Sequence, residues 1–417
     1  MNKGQEYRED RMEDNKVRKG LSIAAIVLIA LAALLLCITS AYGNVYGPEV
    51  LIYGVPFIAA VAIPLLAVLI ILSRYCYKTD TLSDLIATIG VRYAIFGWFY
   101  VFVMKLVVVL MYLFFYDFFM TYYSTVYLLL NSANVCIGGT VVLSIVLRSV
   151  PRYKIQKRPM KIRYLLLLIL IMYGLTHIGS LMGMPIHLIL SSVSLSRESA
   201  LGSSDIMMGT GSIVLNLTVG ILPPIFEELL FRKYLIDRTI RHGEFISCVM
   251  SGIMFGLWHG NFQQFFFAFF VGVLFAFVYI RTGNIFYTMI MHASMNLVTT
   301  AVTLQLLNTT MEKMGYDMNT GAYTEVPESE LVANVLPLLM LIILWLGIYV
   351  SFQIVGFIIF IVKRKKFRLA MLIGEPGRKV ILHTLTHSVE MWIFFSFALL
   401  LFVYYYVPDI LSVFIVG

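Results

Sequence analysis

The chain reads LSIAAIVLIALAALLLCITSAYG from residue 21 to residue 43, a run without a single charged side chain. About 20 predominantly apolar residues cross a bilayer as a helix, so residues 21–43 are predicted to span a membrane. No A-x-A cleavage signature follows the run, which favours a retained first helix over a removed signal peptide.

The composition of the whole chain agrees with this first run. Of its residues, 60% are hydrophobic and only 13% are charged, with a mean hydropathy of +0.88. Soluble domains contain about a quarter charged residues and are about half apolar. An all-α, polytopic integral membrane helix bundle is therefore predicted.

The same window of about 20 apolar residues predicts about eleven transmembrane helices, within a range of about nine to twelve. They fall at residues 21–43, 51–73, 94–117, 124–147, 164–183, 209–240, 245–260, 262–280, 284–303, 332–362 and 388–407. Residues 184–208, which include His187 and Arg197, are predicted to form a loop or an interfacial helix.

The distribution of basic residues predicts the orientation of the bundle. One side would hold 28 of the 31 Lys and Arg residues, and the other only Arg197 and Lys313, with Lys105 left within a span. The 28 lie in segments 1–20, 74–93, 148–163, 232–241, 363–379 and at Arg281. Cytosolic loops carry the excess of Lys and Arg, so the chain is predicted to be a multi-pass protein of the cell membrane with a cytosolic N-terminus.

The net charge of +8 is explained by the same distribution. The basic residues stand in short loops between apolar runs, as orientation in a membrane requires, so we expect no nucleic-acid partner. The expected partners are the lipid bilayer and a membrane-associated peptide or protein substrate.

Ionisable residues inside a membrane are energetically unfavourable and indicate function by default. Two adjacent carboxylates, Glu227 and Glu228, follow Pro223 and Pro224, which break the incoming helix. Glu228 and Arg232 are spaced i, i+4 and are predicted to pair, which leaves Glu227 free to face another group. A neutralised charge cluster at an interface is the alternative interpretation.

Two further polar motifs follow on the next apolar helices. If the chain turns near Gly243, Glu227 and His259 are equally far from the turn and should reach the same depth. His292 and Asn296 are spaced i, i+4 and share one helix face. Each motif alone also suits a structural role, as a hydrogen-bonded core histidine or as a polar contact between helices.

Together these residue types suit peptide hydrolysis. A carboxylate close to a histidine can act as the base that activates water, and an Asn with a second donor can stabilise the oxyanion. No G-x-S-x-G and no H-E-x-x-H motif is present, so the signatures of serine hydrolases and of ordinary zinc proteases are missing.

Over about residues 209–303, the three motifs resemble those of the CPBP family of intramembrane proteases, also called the CAAX-protease or Abi family. The family patterns are EExxxR, FxxxH and HxxxN, and the matching residues are Glu227, Glu228, Arg232, Phe255, His259, His292 and Asn296. The family includes the eukaryotic protease that trims prenylated CAAX proteins, and bacterial members linked to bacteriocin immunity, peptide maturation and surface-protein regulation.

The resemblance implies a role for each matched residue. Glu227 and His259 would activate water, and His292 and Asn296 would form the oxyanion hole. Glu228 and Arg232 would be the supporting charged positions of the first motif. The implied activity is that of an intramembrane endopeptidase acting on membrane-associated or lipid-modified polypeptides.

The resemblance leaves the use of a metal open, because family members are described both as metalloproteases and as glutamate-type proteases. In a zinc enzyme, Glu227, His259 and His292 would be the three ligands, with a fourth position open. A metal-free mechanism without a cofactor is favoured, because Asn296 is a poor zinc ligand and a good oxyanion donor.

Five segments are predicted along the chain. They are a cytosolic tail (1–20), N-terminal transmembrane helices (21–208), the CPBP-type intramembrane protease core (209–303), an extracytoplasmic loop (304–331) and C-terminal transmembrane helices with a basic cytosolic loop at 363–379 (332–417).

Two functions from other classes remain open. One is a membrane transporter or an ion or proton pathway through the Glu and His residues, against which the lack of an internal repeat counts. The other is a non-catalytic membrane scaffold or immunity protein of the same family.

Overall fold

The computed structural model describes residues 3–46, 50–192, 207, 210–317, 322–370 and 375–416. These ranges contain thirteen helices when continuous helical stretches are joined, and an isolated bridge between Tyr316 and Tyr323. The helices are α1 Lys3–Tyr46, α2 Val50–Tyr75, α3 Leu82–Phe114, α4 Tyr116–Thr121, α5 Tyr123–Val146, α6 Ile162–Ser192, α7 Ser212–His242, α8 Glu244–Trp258, α9 Phe262–Thr282, α10 Ile285–Lys313, α11 Glu328–Lys366, α12 Arg378–His387 and α13 Val389–Val416.

The protein is a polytopic membrane bundle, as the composition predicts. In the described part of the chain, ten helices are long and apolar enough to cross a membrane. Every predicted span falls on a helix, but α8 has only 15 residues and is too short to count as a span. Many large aliphatic side chains on these helices are exposed, Ile145 and Ile343 among them, as lipid-facing surfaces require.

Some helix boundaries differ from those predicted. Helix α3 begins at Leu82 and not at 94, because Thr81 caps its N-terminus by accepting a hydrogen bond from the Asp84 amide at 3.1 Å. Arg92, predicted to lie before the span, is consequently inside this helix and only 8% exposed.

Hydrophilic segments are also more helical than expected. The predicted tail 1–20 is helical from Lys3 onward and continues into the first span. The predicted loop 304–331 is helical at both ends, because α10 runs to Lys313 and α11 begins at Glu328. In segment 184–208, α6 continues through Ser192, whereas Arg197 lies outside the described residues.

The packing of the helices brings distant parts of the chain together. Helix α1 packs against α2 and α13, and α13 also contacts α3. Helix α6 lies between α9 and α11, and α8 forms an antiparallel hairpin with α9. The crossing of α6 and α11 is close enough that a Cβ atom on Gly356 would clash with the Leu170 carbonyl. Small residues allow such approaches in membranes.

Helix α7 is surrounded by helices from both halves of the chain. Its segment Leu222–Glu228 contacts α10 and also the π-helical stretch Asn134–Gly139 within α5. The antiparallel pair α8 and α9 is joined at its open end by Arg281, which donates two hydrogen bonds of 2.7 and 2.8 Å to Glu244. This arrangement places the three polar motifs on neighbouring helices.

Candidate active site

The two prolines of α7 change its hydrogen bonding directly before the paired carboxylates. The stretch Asn216–Ile221 is π-helical and is followed by the α-helical segment Leu222–Glu228. Pro223 and Pro224 have no backbone N–H, so the Val219 carbonyl finds neither an i+4 nor an i+5 donor. The amide Nδ2 of Asn296 on α10 donates to this carbonyl at 2.9 Å.

A second π-helical stretch, Leu229–Tyr234, follows the carboxylates. The Tyr93 hydroxyl donates to the Leu230 carbonyl at 2.6 Å, and the Ser251 hydroxyl donates to the Phe231 carbonyl at 2.9 Å. Side chains of α3 and α8 thus satisfy carbonyls of an irregular turn within a membrane span, where backbone polar groups need protein partners. Such π-helical turns occur frequently at functional sites.

The predicted pair of Glu228 and Arg232 is present. Oε2 of Glu228 lies 3.1 Å from Nε of Arg232, and both side chains are fully buried. The contact is an ion pair whose atoms are not aligned as a hydrogen bond, since all three guanidinium nitrogens lack a hydrogen-bond partner among the described residues. The guanidinium carbon lies 4.3 Å from the ring centre of Phe255 and 5.2 Å from that of Phe275, so cation–π contacts also hold Arg232.

His292 lies between the two carboxylates. Its Nδ1 atom is 3.1 Å from Oε1 of Glu228, and its Nε2 atom is 3.9 Å from Oε2 of Glu227. The carboxylate of Glu228 can only accept, so Nδ1 carries a proton and donates. The His292 side chain is 3% exposed and that of Glu227 is 13% exposed. Glu227 is therefore more accessible than His292.

His259 stands at the C-terminal end of α8, where Phe255 fixes its ring. Its Nδ1 atom lies 2.8 Å from the Phe255 carbonyl, and the two rings meet edge to face at 5.0 Å. A carbonyl only accepts, so Nδ1 donates and the Nε2 atom of the neutral ring is left as an acceptor. The ring of Phe255 also meets that of His292 edge to face at 5.6 Å, so the two histidines share one aromatic neighbour.

The structure thus brings Glu227, His259 and His292 to one place. Asn296, expected as an oxyanion donor, instead directs one N–H of its amide to a backbone carbonyl. One donor of the Asn296 amide is used by Val219, so that side chain holds α10 against α7. An Asn amide has two N–H donors, and the second can serve another acceptor. The geometry alone does not assign catalytic roles to these residues, which remain predictions.

The side chains of the site bear on whether it could hold a metal ion. Within the described ranges, no group of three His, Cys, Asp or Glu side chains is arranged to hold a metal ion. Nδ1 of His292 and Nδ1 of His259 are occupied by Glu228 and by a backbone carbonyl. Zinc-binding histidines commonly make such Nδ1 bonds and hold the metal through Nε2, so zinc binding by Glu227, His259 and His292 stays a prediction.

Polar residues that sequence reasoning did not select also lie beside the site. The Tyr100 hydroxyl donates to Oδ1 of Asn131 at 2.7 Å, and Nδ2 of Asn134 donates to the Tyr100 carbonyl at 2.8 Å. Asn134 belongs to the stretch Asn134–Gly139, which contacts the segment Leu222–Glu228 of α7. The sequence contained a signal for these contacts, namely Asn131 and Asn134, which are three residues apart in an apolar span. Polar side chains within a membrane commonly form hydrogen bonds to neighbouring helices.

A segment of the chain matches a known protein family. Residues 209–298 match the family model described as Rce1-like, type II CAAX prenyl endopeptidase Rce1-like. The matched segment begins at the first residue of the predicted core and contains all three motifs, so the resemblance seen in the motifs is confirmed for this part of the chain. Neither the comparison with curated proteins nor that with solved structures found a match.

Proposed function

We propose, from the type II CAAX prenyl endopeptidase domain that residues 209–298 match, that the chain is an intramembrane endopeptidase of membrane-associated or lipid-modified polypeptides. The observation that carries this proposal is the position of Glu227, whose Oε2 atom lies 3.9 Å from Nε2 of a histidine fixed on its other side by Glu228. A free carboxylate beside an oriented imidazole suits the activation of water.

Glu227 acts as the general base in the proposed reaction. It removes a proton from water while the water oxygen bonds to the peptide carbonyl carbon, and the carbonyl π electrons move to the oxygen. When the tetrahedral intermediate collapses, the C–N bond breaks and the proton passes from Glu227 to the leaving nitrogen. The products are a carboxylic acid and an amine, which exchange a proton at neutral pH to give a carboxylate and an ammonium group.

His259 assists Glu227 in this proposal. Because its Nδ1 donates to the Phe255 carbonyl, its Nε2 has a lone pair that can accept a hydrogen bond from the same water. His259 and Glu227 would hold the nucleophile from two helices, α8 and α7. Holding the water in position lowers the activation free energy, because less translational and rotational entropy is lost when it reacts.

His292 and Asn296 are proposed to stabilise the oxyanion. The imidazolium form of His292 has N–H groups on both nitrogens, so Nε2 can donate to the oxyanion while Nδ1 donates to Glu228. The second N–H of the Asn296 amide is the other donor. Removing one oxyanion-hole donor typically slows turnover by about 10²–10³-fold.

The test uses purified protein reconstituted in liposomes and two fluorogenic peptides of one sequence, one prenylated on a CAAX-type cysteine and one unmodified. Mass spectrometry identifies the cleaved bond. We expect cleavage of the prenylated peptide, and a loss of about 10²–10⁴-fold in the Glu227→Gln variant. Glu325→Gln, in an exposed segment, is the matched control and should cleave normally.

Three outcomes would contradict the proposal. Normal turnover by the Glu227→Gln protein would remove the general base from the mechanism. Proton flux into dye-loaded liposomes without cleavage of either peptide would favour an ion pathway, and neither activity would favour a non-catalytic scaffold.

A further inference from the structure

A second buried arginine lies outside the matched domain. Arg92 on α3 is 8% exposed and sits between the C-terminal ends of α2 and α5. Its Nη2 atom donates to the Ser73 carbonyl at 3.0 Å and to the Ser149 hydroxyl at 3.5 Å. Its Nε atom is buried and has no hydrogen-bond partner in the part of the chain that the structure describes.

The charge of Arg92 is not balanced within the described residues, since none of their ion pairs includes it. The contrast with Arg232 is direct, because Glu228 lies 3.1 Å from that guanidinium. A buried charge is unfavourable unless it is paired. The arrangement therefore calls for an anion from outside the chain.

A groove of about 490 Å³ leads to Arg92 from the surface. Arg148 and Ser149 are exposed at its rim, so the groove contains two guanidinium groups and no carboxylate. The remaining lining is mainly apolar and consists of Ile70, Ile95, Ile145 and Val146, with Ser73 beside Arg92.

The apolar lining identifies the kind of anion. Ile70 is 46% exposed and Ile145 is 64% exposed, on helices that are candidate membrane spans. The groove is thus open to lipid along its apolar side, and its basic end lies beside residues 148–163, on the side predicted to be cytosolic. A free inorganic anion would gain nothing from these isoleucines, whereas a lipid acyl chain would cover them.

We propose that this groove binds an anionic phospholipid. The lipid phosphate contacts Arg92, Arg148 and the Ser149 hydroxyl, and one acyl chain lies along Ile70, Ile95 and Ile145. Basic pockets between transmembrane helices on the cytosolic side bind anionic head groups in this way. The site is independent of the proposed protease activity.

Lipid retention tests the proposal. The full chain is purified from nanodiscs containing equal amounts of phosphatidylglycerol and phosphatidylcholine, and native mass spectrometry measures the lipids that remain bound. We expect selective retention of phosphatidylglycerol, and about a fivefold loss of that selectivity in Arg148→Gln, as for one basic contact. Lys157→Gln is the matched control, since it removes an exposed charge from the same basic segment but does not line the groove.

Two further measurements separate the alternatives. Arg92→Gln should lose selectivity more strongly than Arg148→Gln; because Arg92 is buried, the exposed Arg148 variant keeps the test valid if Arg92→Gln fails to fold. Inorganic phosphate should not displace the bound lipid, whereas displacement would indicate a site for free phosphate. Equal retention of both lipids by the wild type, or unchanged selectivity in Arg148→Gln, would overturn the proposal.

Discussion

The Nδ1 atom of His292 lies 3.1 Å from Oε1 of Glu228, the carboxylate whose other oxygen pairs with Arg232. The i, i+4 spacing predicted only the second of these contacts. Glu228 therefore links a buried cation on its own helix to a histidine on α10. It also fixes the ring of His292 so that Nε2 faces Glu227.

The first prediction concerns the stability of this linked set. Glu228→Ala and Arg232→Ala should each lower protein abundance and melting temperature, because removing one member leaves a buried charge at about 3–5 kcal/mol. The double variant should recover part of this loss. A double variant no more stable than either single variant would show that the two side chains do not compensate each other. Glu325→Ala, in an exposed segment, is the control.

The second prediction separates the two roles of Asn296. Asn296→Ala should lower both turnover and melting temperature, because it removes a donor from the Val219 carbonyl at about 1 kcal/mol. Adding Pro223→Ala restores a backbone N–H that can reach Val219. The double variant should then regain stability without regaining activity.

Thermal unfolding and peptide cleavage are measured on the same samples, with Thr299→Ala on the exposed side of α10 as the control. If activity returned together with stability in the double variant, Asn296 would be a structural residue and not an oxyanion donor.

The third prediction is that cleavage survives prolonged treatment of the detergent-purified protein with EDTA or phenanthroline. The described side chains form no group of three that could hold a metal ion, and the amide of Asn296 is a poor zinc ligand. The measurement is the cleavage rate before and after dialysis. Loss of activity that stoichiometric zinc restores would instead support Glu227, His259 and His292 as ligands.

The fourth prediction is that the site is hydrated from the side predicted to be cytosolic. Single cysteines at positions 259 and 292, in a background without Cys37, Cys76, Cys136 and Cys248, should react with a charged thiol reagent in inverted vesicles. Reaction only in intact cells would reverse the predicted orientation. No reaction in either preparation would contradict a water-filled site.

The spans were predictable because length and hydrophobicity act locally along the chain. The start of α3 was not predicted correctly, because the charged residues of segment 74–93, Arg92 included, indicated a loop. A long apolar helix can carry a buried arginine when backbone carbonyls and hydroxyls such as those of Ser73 and Ser149 receive its N–H groups. The Thr81 cap was a local signal for the start of α3, whereas the partners of Arg92 depend on the packing and not on the local sequence.

The candidate site was predictable only where its contacts follow helix periodicity. The pair Glu228–Arg232 lies within one helix, so spacing was enough. The bond from Asn296 to Val219 depends on how two proline residues disturb a different helix. The contacts of Tyr100 and Asn134 depend on α3 and α5, which are far from the motifs along the chain.

The short length of helix α8 has a consequence for the depth of His259 in the membrane. Its 15 residues rise about 22 Å, less than the hydrocarbon thickness of about 30 Å. The turn after it satisfies its own polar groups, because Asn261 donates to the His259 carbonyl and accepts from the Gln264 amide. No residue of α8 is exposed, because α7, α9 and α13 pack around it, so protein and not lipid meets both ends of this short helix. The depth of His259 is therefore set by neighbouring helices, and it should not change with the acyl-chain length of the surrounding membrane.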